Sequence, residues 1–422
     1  YPAWVEASKV TMDVLKKYMD KDKATQLDYA SQYASVANYW KNRAGTIDAV
    51  KKNGTVAEKQ KLEEVYNQWA AQSPNEQTYY GVLPEIKAYY SQISGRNVER
   101  NYASLLQRNA HYIATAYQLG SLFKTYADQD DAGKTAMKQK VLDAVEKAYD
   151  GFHDNVEGDM LVALSSLYKA KVNKEFASPT ILAADVNSLS TLAYASIFAN
   201  KKSALAFVEN PDRLKIDGDK LRQFANGIVE DQKLGAEKYA KVDENFAKNS
   251  RLFLDGLRKS QPEKKFYPDA NSTMRLTYGN IETLPVREDR NYKGIKENFY
   301  TDINGMVAKY KKGDEEFDLP KKVLDLAKKK DYGQYADKNG YMPINFLSNN
   351  DITGGNSGSP IIDGNGHLIG IAFDGNSEAL SGDIVFEPKL QRTINVDIRY
   401  VLWVIDKYAG ATRLISELTL VK

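Results

Sequence analysis

The sequence predicts a multidomain α+β protein, in which a large all-α part precedes an antiparallel β part that ends in a C-terminal helix. In about the first 260 residues, proline is sparse and apolar residues recur at spacings of three and four, as in amphipathic helices. After Gln261-Pro262, alternating and β-branched residues replace that pattern, and glycine turns separate short apolar runs. A run of helices followed by a run of strands indicates separate domains, here residues 1–262 and 263–422.

Turn signals divide the helical part into separate helices. Glycine, proline and helix-capping side chains interrupt the apolar periodicity at intervals that suit helical hairpins. These breakers are Gly54, Ser73-Pro74-Asn75, Gly95, the run 130–133, Ser178-Pro179 and Asn210-Pro211. Each of them predicts the end of one helix or the start of the next.

The β part is predicted element by element from alternation and turns. Residues 266–279 alternate and predict a strand, and helices are predicted at about 300–310 and about 320–328. Residues 360–373 predict a β-hairpin, because Asn365-Gly366 between two apolar runs supplies the positive φ of a tight turn. A last helix over about 397–408 is predicted to end at Gly410.

Composition excludes several classes of function. The 422 residues carry 58 Lys and Arg against 56 Asp and Glu, so no basic excess indicates nucleic-acid binding. The longest apolar runs, such as 368–373, are far too short to span a bilayer. Cysteine is absent, which removes disulfides and thiolate ligands, and the sequence has no zinc, phosphate-loop or dinucleotide motif. We therefore expect no metal, no cofactor, no nucleic acid and no transmembrane segment.

The segment 353–360 carries the best candidate for catalysis. Ser357 lies among glycines on a tight loop between two β segments, where small neighbours allow a substrate carbonyl to approach its hydroxyl. Glycine flexibility also allows the backbone N–H groups of Gly355 and Ser357 to point together at a developing oxyanion. The alternative is a plain turn, rich in glycine and serine, that only joins two strands.

A serine nucleophile needs a base, and the sequence offers none that is convincing. His111 and His153 fall in the helical part, where a packed or surface histidine is the simpler interpretation. His367 follows the predicted hairpin turn and is expected to face solvent. From spacing alone, the chain holds a candidate nucleophile without the rest of a catalytic triad.

The serine loop resembles that of chymotrypsin-clan peptidases. It reads Gly355-Asn356-Ser357-Gly358-Ser359-Pro360, where the clan more often has Gly-Asp-Ser-Gly-Gly-Pro. Wider stretches resemble the bacterial dipeptidyl peptidases of the 7 and 11 types, and most closely the 7 type; they are 266–279, 350–360, 373–376 and 396–401. The resemblance covers the whole chain, and its helical part is less distinctive than its β part.

The resemblance implies a fold, an activity and a place of action. That family has a trypsin-like double β-barrel with a large helical domain inserted between its parts. Residues 1–262 would then be a helical cap domain, and residues 263–422 the C-terminal β-barrel. Family members remove dipeptides from the free N-terminus of oligopeptides, as homodimers, in the periplasm or at the cell surface of Gram-negative bacteria. Their catalytic His and Asp precede the inserted domain, so we expect both in sequence upstream of this chain.

The resemblance also assigns roles to individual residues. Ser357 matches the family nucleophile, and the N–H groups of Gly355 and Ser357 match its oxyanion hole. Asp374 and Asn38 match residues that bind the terminal ammonium of the substrate; the alternatives are a hairpin-turn aspartate and an N-cap or turn asparagine. Gly375 matches a position that is occupied by an arginine in the family type that prefers acidic substrates, where the arginine pairs with the substrate carboxylate. Glycine at this position implies an uncharged pocket and a preference for apolar side chains next to the cut bond.

Two functions are therefore open from the sequence. The first is a serine dipeptidyl aminopeptidase that prefers an apolar residue next to the cut bond. The second is a catalytically incomplete fragment or peptide-binding module that holds peptide N-termini without cleaving them, because the chain lacks the His and Asp of the triad. Labelling by a serine-directed reagent distinguishes the two.

Overall fold

A computed structural model describes residues 1–267, 273–284, 300–314 and 316–421. The chain packs into two compact units. Unit 1 comprises Tyr1–Ala44 and Lys61–Lys265, and unit 2 comprises Gly45–Gln60 and Phe266–Lys422. A linear division between residues 262 and 263 does not anticipate that Gly45–Gln60 belongs with the β part. The predicted domain limits stay a prediction.

The regular elements of unit 1 are helices, joined by turns and loops. The helices of the first 260 residues are α1 (Pro2–Met19), α2 (Lys23–Lys52), α3 (Thr55–Ala70), α4 (Glu76–Tyr79), α5 (Val82–Asn109), α6 (His111–Ala127), α7 (Asp131–Ala148), α8 (Asp154–Lys171), α9 (Pro179–Ala183), α10 (Leu189–Tyr194), α11 (Lys201–Glu209), α12 (Arg213–Gly218) and α13 (Lys220–Ser260). A 3₁₀ turn, Val186–Ser188, precedes α10. The end of α2 and the start of α3 lie within Gly45–Gln60 and so belong to unit 2.

Side-chain caps explain where several of these helices begin. The Asp130 carboxylate accepts a hydrogen bond of 2.8 Å from the Gly133 N–H at the start of α7, and Ser178 caps α9 in the same way. The predicted breakers therefore end or begin helices, with one exception. Gly95 lies inside α5, where an added Cβ would lie 2.4 Å from the Phe176 ring, so close packing explains this glycine.

The core of unit 1 lies where α1, α5, α6, α8 and α13 pack against one another. Leu106, Phe123, Met160 and Ile228 are almost fully buried there. Burial of such side chains stabilises the folded state by roughly 1.5–3 kcal/mol each. Ordinary apolar packing of amphipathic helices thus holds this unit together, as the spacing of apolar residues predicts.

Unit 2 holds the strands of the described chain together with short helices. Its strands are β1 (Tyr300–Asp302), β2 (Pro343–Ser348), β3 (Pro360–Ile362), β4 (Leu368–Gly375) and β5 (Thr393–Asp397), and its helices beyond residue 266 are α14 (Ile303–Ala308), α15 (Lys321–Lys329), α16 (Ile398–Trp403) and α17 (Thr412–Ser416). A π-helical turn, Val404–Tyr408, continues α16, and 3₁₀ turns lie at Gly333–Tyr335 and Ser377–Ser381. Ile303, Met342 and Trp403 are fully buried in a small apolar core.

The strands form one antiparallel sheet in the order β1-β2-β5-β4-β3. In the register, Ser348 of β2 lies opposite Thr393 of β5, and β5 pairs with β4 on its other side. The α+β class is confirmed. The expected closed β-barrel is wrong for the described residues, because β1 pairs only with β2 and β3 only with β4, whereas closure requires a ladder between the outer strands.

Two local predictions in this unit have opposite outcomes. The hairpin over 360–373 is confirmed, since β3 and β4 pair around a turn in which Gly366 has a φ of +85°. The strand over 266–279 is wrong for residues 273–279, which form no strand, and 268–272 lie outside the described residues. Alternation shows that a segment suits a half-buried surface, but it does not supply a partner strand within hydrogen-bond reach.

No described helix has the length and apolarity that a membrane crossing requires. Over the same ranges, no group of three or more His, Asp or Glu side chains is arranged to hold a metal ion. The long helices instead carry charged side chains along their outer faces. On α13, for example, Lys259 Nζ lies 2.9 Å from Asp255 Oδ2 one turn away.

Candidate active site

Ser357 lies on a loop that two glycines shape. Gly355 has a φ of +102° and Gly358 a φ of +84°, in the left-handed region that residues with a Cβ rarely occupy. Asn356 closes the turn, because its Oδ1 accepts a hydrogen bond of 3.1 Å from the Thr353 N–H. An added Cβ at either glycine would meet open space, so a substrate backbone can approach the loop closely.

Strand β4 fixes the position of this loop. The Gly358 N–H donates to Ala372 O at 2.8 Å, and the Ala372 N–H donates to Ser359 O at 2.9 Å. Beside this pair, Ser357 Oγ donates to Phe373 O at 3.2 Å. Because Ser357 is exposed, its hydroxyl is both oriented by the strand and accessible to a substrate.

The backbone beside the serine offers two further hydrogen-bond donors. Among the residues that the structure describes, neither the Gly355 N–H nor the Ser357 N–H has a hydrogen-bond acceptor. Both residues are exposed, so both donors are available to a ligand. Stabilisation of an oxyanion requires such preorganised donors next to the nucleophile. The oxyanion hole itself stays a prediction.

Asp374 and Gly375 end strand β4 immediately after the residue that contacts the serine. Asp374 pairs with Ile394 and Gly375 with Thr393 of β5, after a bulge that begins at Ala372. Asp374 lies within the strand, so the alternative of a hairpin-turn aspartate is wrong. The side chain is exposed, and its Oδ1 accepts a local hydrogen bond of 2.7 Å from the Gly375 N–H. In the described part of the chain, its other carboxylate oxygen has no partner, so it can accept from a cation.

A buried amide holds the chain just after Gly375. The Asn376 side chain donates to Glu378 Oε2 and to Leu390 O, both at 2.8 Å, and accepts a hydrogen bond of 2.8 Å from the Arg392 N–H. Only 8% of Asn376 is exposed, and a buried amide that lost these partners would be costly. Asn376 therefore fixes the end of β4, a role that its place in the motif 373–376 does not reveal by itself.

The 3₁₀ turn Ser377–Ser381 packs closely against Gly375. A Cβ added to Gly375 would lie 2.7 Å from Ala379 Cβ. Two residues of Gly45–Gln60 hold the same turn, since Thr46 Oγ1 and Asn53 Nδ2 donate to its backbone carbonyls at 3.0 and 3.1 Å. The partners are 334 and 325 positions apart, so no local sequence pattern points to these contacts.

Asn38 lies in unit 1, inside helix α2. Its side chain is exposed, and its place in the middle of the helix makes the alternatives of an N-cap or turn asparagine wrong. On the same helix, Ser35 and Tyr39 line a cavity of about 610 Å³ together with Trp4. The other four predicted site residues all belong to unit 2. The role of Asn38 stays a prediction.

His111 and His153 pair with carboxylates inside unit 1. His111 Nδ1 lies 2.9 Å from Oε1 of the fully buried Glu157, and His153 Nε2 lies 2.7 Å from Asp28 Oδ2. Burial lowers the pKa of His111, but the hydrogen bond and the charge of Glu157 outweigh burial, so the pKa is raised from its ordinary value. Both rings thus take part in the polar packing of the helical unit.

His367 lies at the far end of strand β4 from the serine. It precedes β4, whereas the serine loop meets that strand at Ala372 and Phe373. Five residues of extended strand cover about 17 Å, at about 3.3 Å per residue, so the imidazole cannot reach Ser357. The His367 side chain is 42% exposed, and its Nδ1 lies 3.1 Å from Asp363 Oδ2. Unit 2 offers no histidine base among its described residues.

Comparison with known proteins supplies the family of this chain. The model of the family Peptidase S46 matches residues 1–420. The chain belongs to the Peptidase S46 family. The resemblance to bacterial dipeptidyl peptidases, carried by the motifs around Ser357 and Asp374, is thereby confirmed.

Relatives of two named kinds match this S46 chain. A protein named Dipeptidyl-peptidase 7 from Capnocytophaga gingivalis is 40% identical over 428 residues, which cover 100% of this chain and 59% of that protein. An Asp/Glu-specific dipeptidyl-peptidase from Flavobacterium psychrophilum is 32% identical over 426 residues, with the same coverage. The crystal structure of Porphyromonas endodontalis DPP11 in complex with the dipeptide Arg-Glu gives a TM-score of 0.87 at 27% identity, over 99% of this chain and 60% of that one. The S46 chain thus spans about three fifths of the length of these relatives.

These relatives bear on two expectations. Membership in a peptidase family does not favour the alternative of a peptide-binding module without catalysis. The expected preference for an apolar residue next to the cut bond finds no support among them, because Asp/Glu-specific dipeptidyl-peptidases match the whole chain as well.

Proposed function

We propose that this S46 chain supplies the nucleophile and the specificity pocket of a serine dipeptidyl aminopeptidase, which releases N-terminal dipeptides from oligopeptides. One observation carries the proposal: the exposed Ser357 hydroxyl lies on a loop shaped by glycines, beside two N–H groups that have no acceptor in the described residues. A plain connecting turn has no need of that combination. The names of the relatives, dipeptidyl-peptidases of two kinds, support the same reaction.

In the proposed reaction, Ser357 Oγ attacks the carbonyl carbon of the second peptide bond. A base takes the hydroxyl proton, and negative charge moves onto the carbonyl oxygen, where the N–H groups of Gly355 and Ser357 stabilise it. The proton then passes to the departing amine, the C–N bond breaks, and the dipeptide remains on Ser357 as an ester. Water hydrolyses the ester and frees the dipeptide. The base and its carboxylate partner are the His and Asp expected upstream of this chain.

Release of two residues requires that the enzyme bind the terminal ammonium at a fixed distance from Ser357. Asp374 suits this role, because its exposed carboxylate follows Phe373, whose carbonyl accepts the Ser357 hydrogen bond. A carboxylate binds an ammonium through charge-assisted hydrogen bonds. A role for Asn38 on the same ammonium, and for residues 1–262 as a cap that excludes longer N-terminal extensions, belongs to the proposal on the strength of the resemblance.

Gly375 is assigned to the pocket for the side chain next to the cut bond. It directly follows Asp374 at the end of β4 and contributes neither bulk nor charge. An uncharged pocket favours apolar side chains, since burial of apolar surface stabilises their complex. An arginine at this position would instead offer a bidentate partner to a substrate carboxylate.

Replacement of Gly375 by arginine should shift the preference next to the cut bond from apolar residues to Asp or Glu, by about tenfold or more in relative kcat/KM. Because a Cβ on residue 375 would lie 2.7 Å from Ala379 Cβ, the change is made together with Ala379→Gly. Gly375→Met with Ala379→Gly is the uncharged control of similar length. Substrates that differ only in their second residue measure the shift. An active double variant with an unchanged profile would remove Gly375 from the pocket.

The proposal extends to assembly and place of action. The enzyme works as a homodimer on oligopeptides with a free N-terminus, in the periplasm or at the cell surface of a Gram-negative bacterium. The resemblance supports this, and a sequence without cysteine suits an oxidising compartment, where a free thiol is a liability. The proposed reaction uses no cofactor, because its nucleophile, oxyanion donors and ammonium-binding group are all protein groups.

The products from a short peptide test the proposed function. A full-length form, extended to the length of the S46 relatives, should release intact dipeptides one after another from a free N-terminus. The same peptide with an acetylated N-terminus should be cleaved about a hundredfold more slowly, because it has no ammonium for Asp374. Mass spectrometry identifies the products. Release of single amino acids, or equal cleavage of the acetylated peptide, would contradict the proposal.

A further inference from the structure

Unit 1 holds a cavity of about 640 Å³ between α5, α13 and the segment 175–179 at the start of α9. Its volume lies in the range of small-molecule binding sites. Charged side chains of both signs line it, among them Glu99, Arg96, Arg100 and Lys238. None of the residues assigned to the proposed reaction takes part in this lining. We call this space the α5–α13 cavity.

Glu99 is the most buried acidic group of the α5–α13 cavity. Only 7% of the residue is exposed, and its Oε1 accepts a hydrogen bond of 2.8 Å from the Tyr168 hydroxyl. Its Oε2 has no hydrogen-bond partner in the described part of the chain, yet this oxygen keeps contact with open space. Because the rest of the residue is buried, that open space is the cavity. Burial raises the pKa of Glu99, since lost hydration disfavours the charged carboxylate. A cationic ligand group beside Oε2 would replace the lost hydration.

Arg96 offers unused donors to the same cavity. Its side chain is 7% exposed, and its Nη1 lies 3.1 and 2.9 Å from the two carboxylate oxygens of Asp243. Its Nε and Nη2 have no acceptor among the residues that the structure describes, and neither atom is sealed from open space. A guanidinium with two free N–H edges is suited to bind a carboxylate.

Further cations lie close to Arg96. The Arg96 guanidinium carbon lies 4.6 Å from the centre of the Tyr239 ring, and Lys238 Nζ lies 5.3 Å from the same ring centre. Arg100 is exposed and follows Arg96 by one turn of α5. Asp243 therefore offsets only part of the positive charge on this wall of the cavity, which favours an anionic ligand group there.

The acidic and basic groups of the cavity do not neutralise each other. Glu99 and Arg96 lie three positions apart on α5, yet they form no ion pair, so their charged atoms are more than 4.0 Å apart. A ligand that carried only an anion would meet the Glu99 carboxylate, and one that carried only a cation would meet Arg96. A molecule with both charges gains an opposite partner for each.

We propose that the α5–α13 cavity binds a short zwitterion, an α-amino acid or a dipeptide, with its ammonium on Glu99 and its carboxylate between Arg96 and Arg100. Both contacts are charge-assisted hydrogen bonds between groups that are partly out of water. Free amino acids and dipeptides share this chemistry, and a dipeptide is also the product of the proposed reaction. The inference goes beyond that reaction, because it gives the helical unit a ligand of its own.

Isothermal titration calorimetry of the full-length enzyme tests the inference. Alanine and Ala-Ala are compared with the same compounds acetylated at the amine or amidated at the carboxylate. At least one zwitterion should bind at this site, and each blocked form should bind about tenfold or more weakly, because it loses one charge-assisted hydrogen bond. The tighter of alanine and Ala-Ala shows which source of the zwitterion the cavity prefers. No binding of either at millimolar concentrations, or equal binding of the blocked forms, would overturn the inference.

Two substitutions assign the binding to the cavity. Glu99→Gln removes the charge and keeps an oxygen that accepts from Tyr168, and Arg100→Gln removes an exposed cation. Each should raise the Kd for the zwitterion by about tenfold or more. The matched controls are Glu85→Gln and Lys87→Gln, which change the same charges at exposed positions of α5 outside the cavity. Both controls should leave the Kd unchanged.

Asp374→Asn separates this cavity from the serine loop. Zwitterion binding that Asp374→Asn weakens, and that neither Glu99→Gln nor Arg100→Gln affects, would overturn the inference. Thermal melting checks that the variants fold, and the exposed Arg100→Gln decides if Glu99→Gln does not. The titration needs no catalysis, so failure of the zwitterion to bind leaves the proposed function intact, and failure of dipeptide release leaves this inference intact.

Discussion

Substitution of Ser357 by alanine should abolish dipeptide release, with kcat falling by about 10⁴-fold or more. In the proposed reaction this hydroxyl forms the ester with the dipeptide. The same change should leave the free energy of unfolding within about 0.5 kcal/mol, because Ser357 is exposed and makes one hydrogen bond, of 3.2 Å, to Phe373 O. Steady-state kinetics and thermal melting of the full-length protein measure the two effects.

Ser359 provides the matched control on the same loop. Its backbone pairs with Ala372, but its hydroxyl has no part in the proposed reaction. Ser359→Ala should therefore keep kcat within a few-fold of the unaltered enzyme. If Ser357→Ala stayed active while Ser359→Ala lost activity, the assignment of the nucleophile would be wrong.

Asp374→Asn should lower kcat/KM by about 30- to 100-fold for substrates with a free N-terminus, which corresponds to about 2–3 kcal/mol for a lost charge-assisted hydrogen bond. The substitution keeps the shape of the side chain and removes only its charge. Residual cleavage of the acetylated substrate should not change, because that substrate has no ammonium to bind. The ratio of kcat/KM for the free and the acetylated substrate is the quantity to measure.

Asp363→Asn is the control for Asp374→Asn. Asp363 is a carboxylate of the same hairpin at the opposite end of β4, where it pairs with His367. Its replacement changes the net charge of the unit equally but should leave the ratio for free and acetylated substrates unaltered. Equal effects of the two substitutions would show that Asp374 acts through general electrostatics and not by binding the terminus.

Local signals in the sequence predicted the elements that local chemistry determines. Asn365-Gly366 predicted the hairpin between β3 and β4, and the side chains of Asp130 and Ser178 predicted the starts of α7 and α9. The serine loop could be found in the same way, because Gly355 must adopt a positive φ that other residues avoid.

Features that depend on distant partners could not be predicted. A strand needs a second strand to pair with, and residues 273–279 pair with none. For the same reason the sheet stays open at its outer strands, β1 and β3, in the described part of the chain. The ties from Thr46 and Asn53 to the turn after Gly375 join segments more than 300 positions apart. Arg275 and Asp351 both fall in motifs that carry the family resemblance, yet neither motif shows that they pair across 76 positions.

The most direct test of the account is to identify the residue that a serine-directed reagent modifies in the full-length enzyme. After reaction with a dipeptidyl phosphonate and proteolytic digestion, mass spectrometry should find one adduct, on Ser357. A saturating peptide with a free N-terminus should slow its formation, and the acetylated peptide should not. An adduct on another residue, or continued dipeptide release from an enzyme that leaves Ser357 unmodified, would contradict the account.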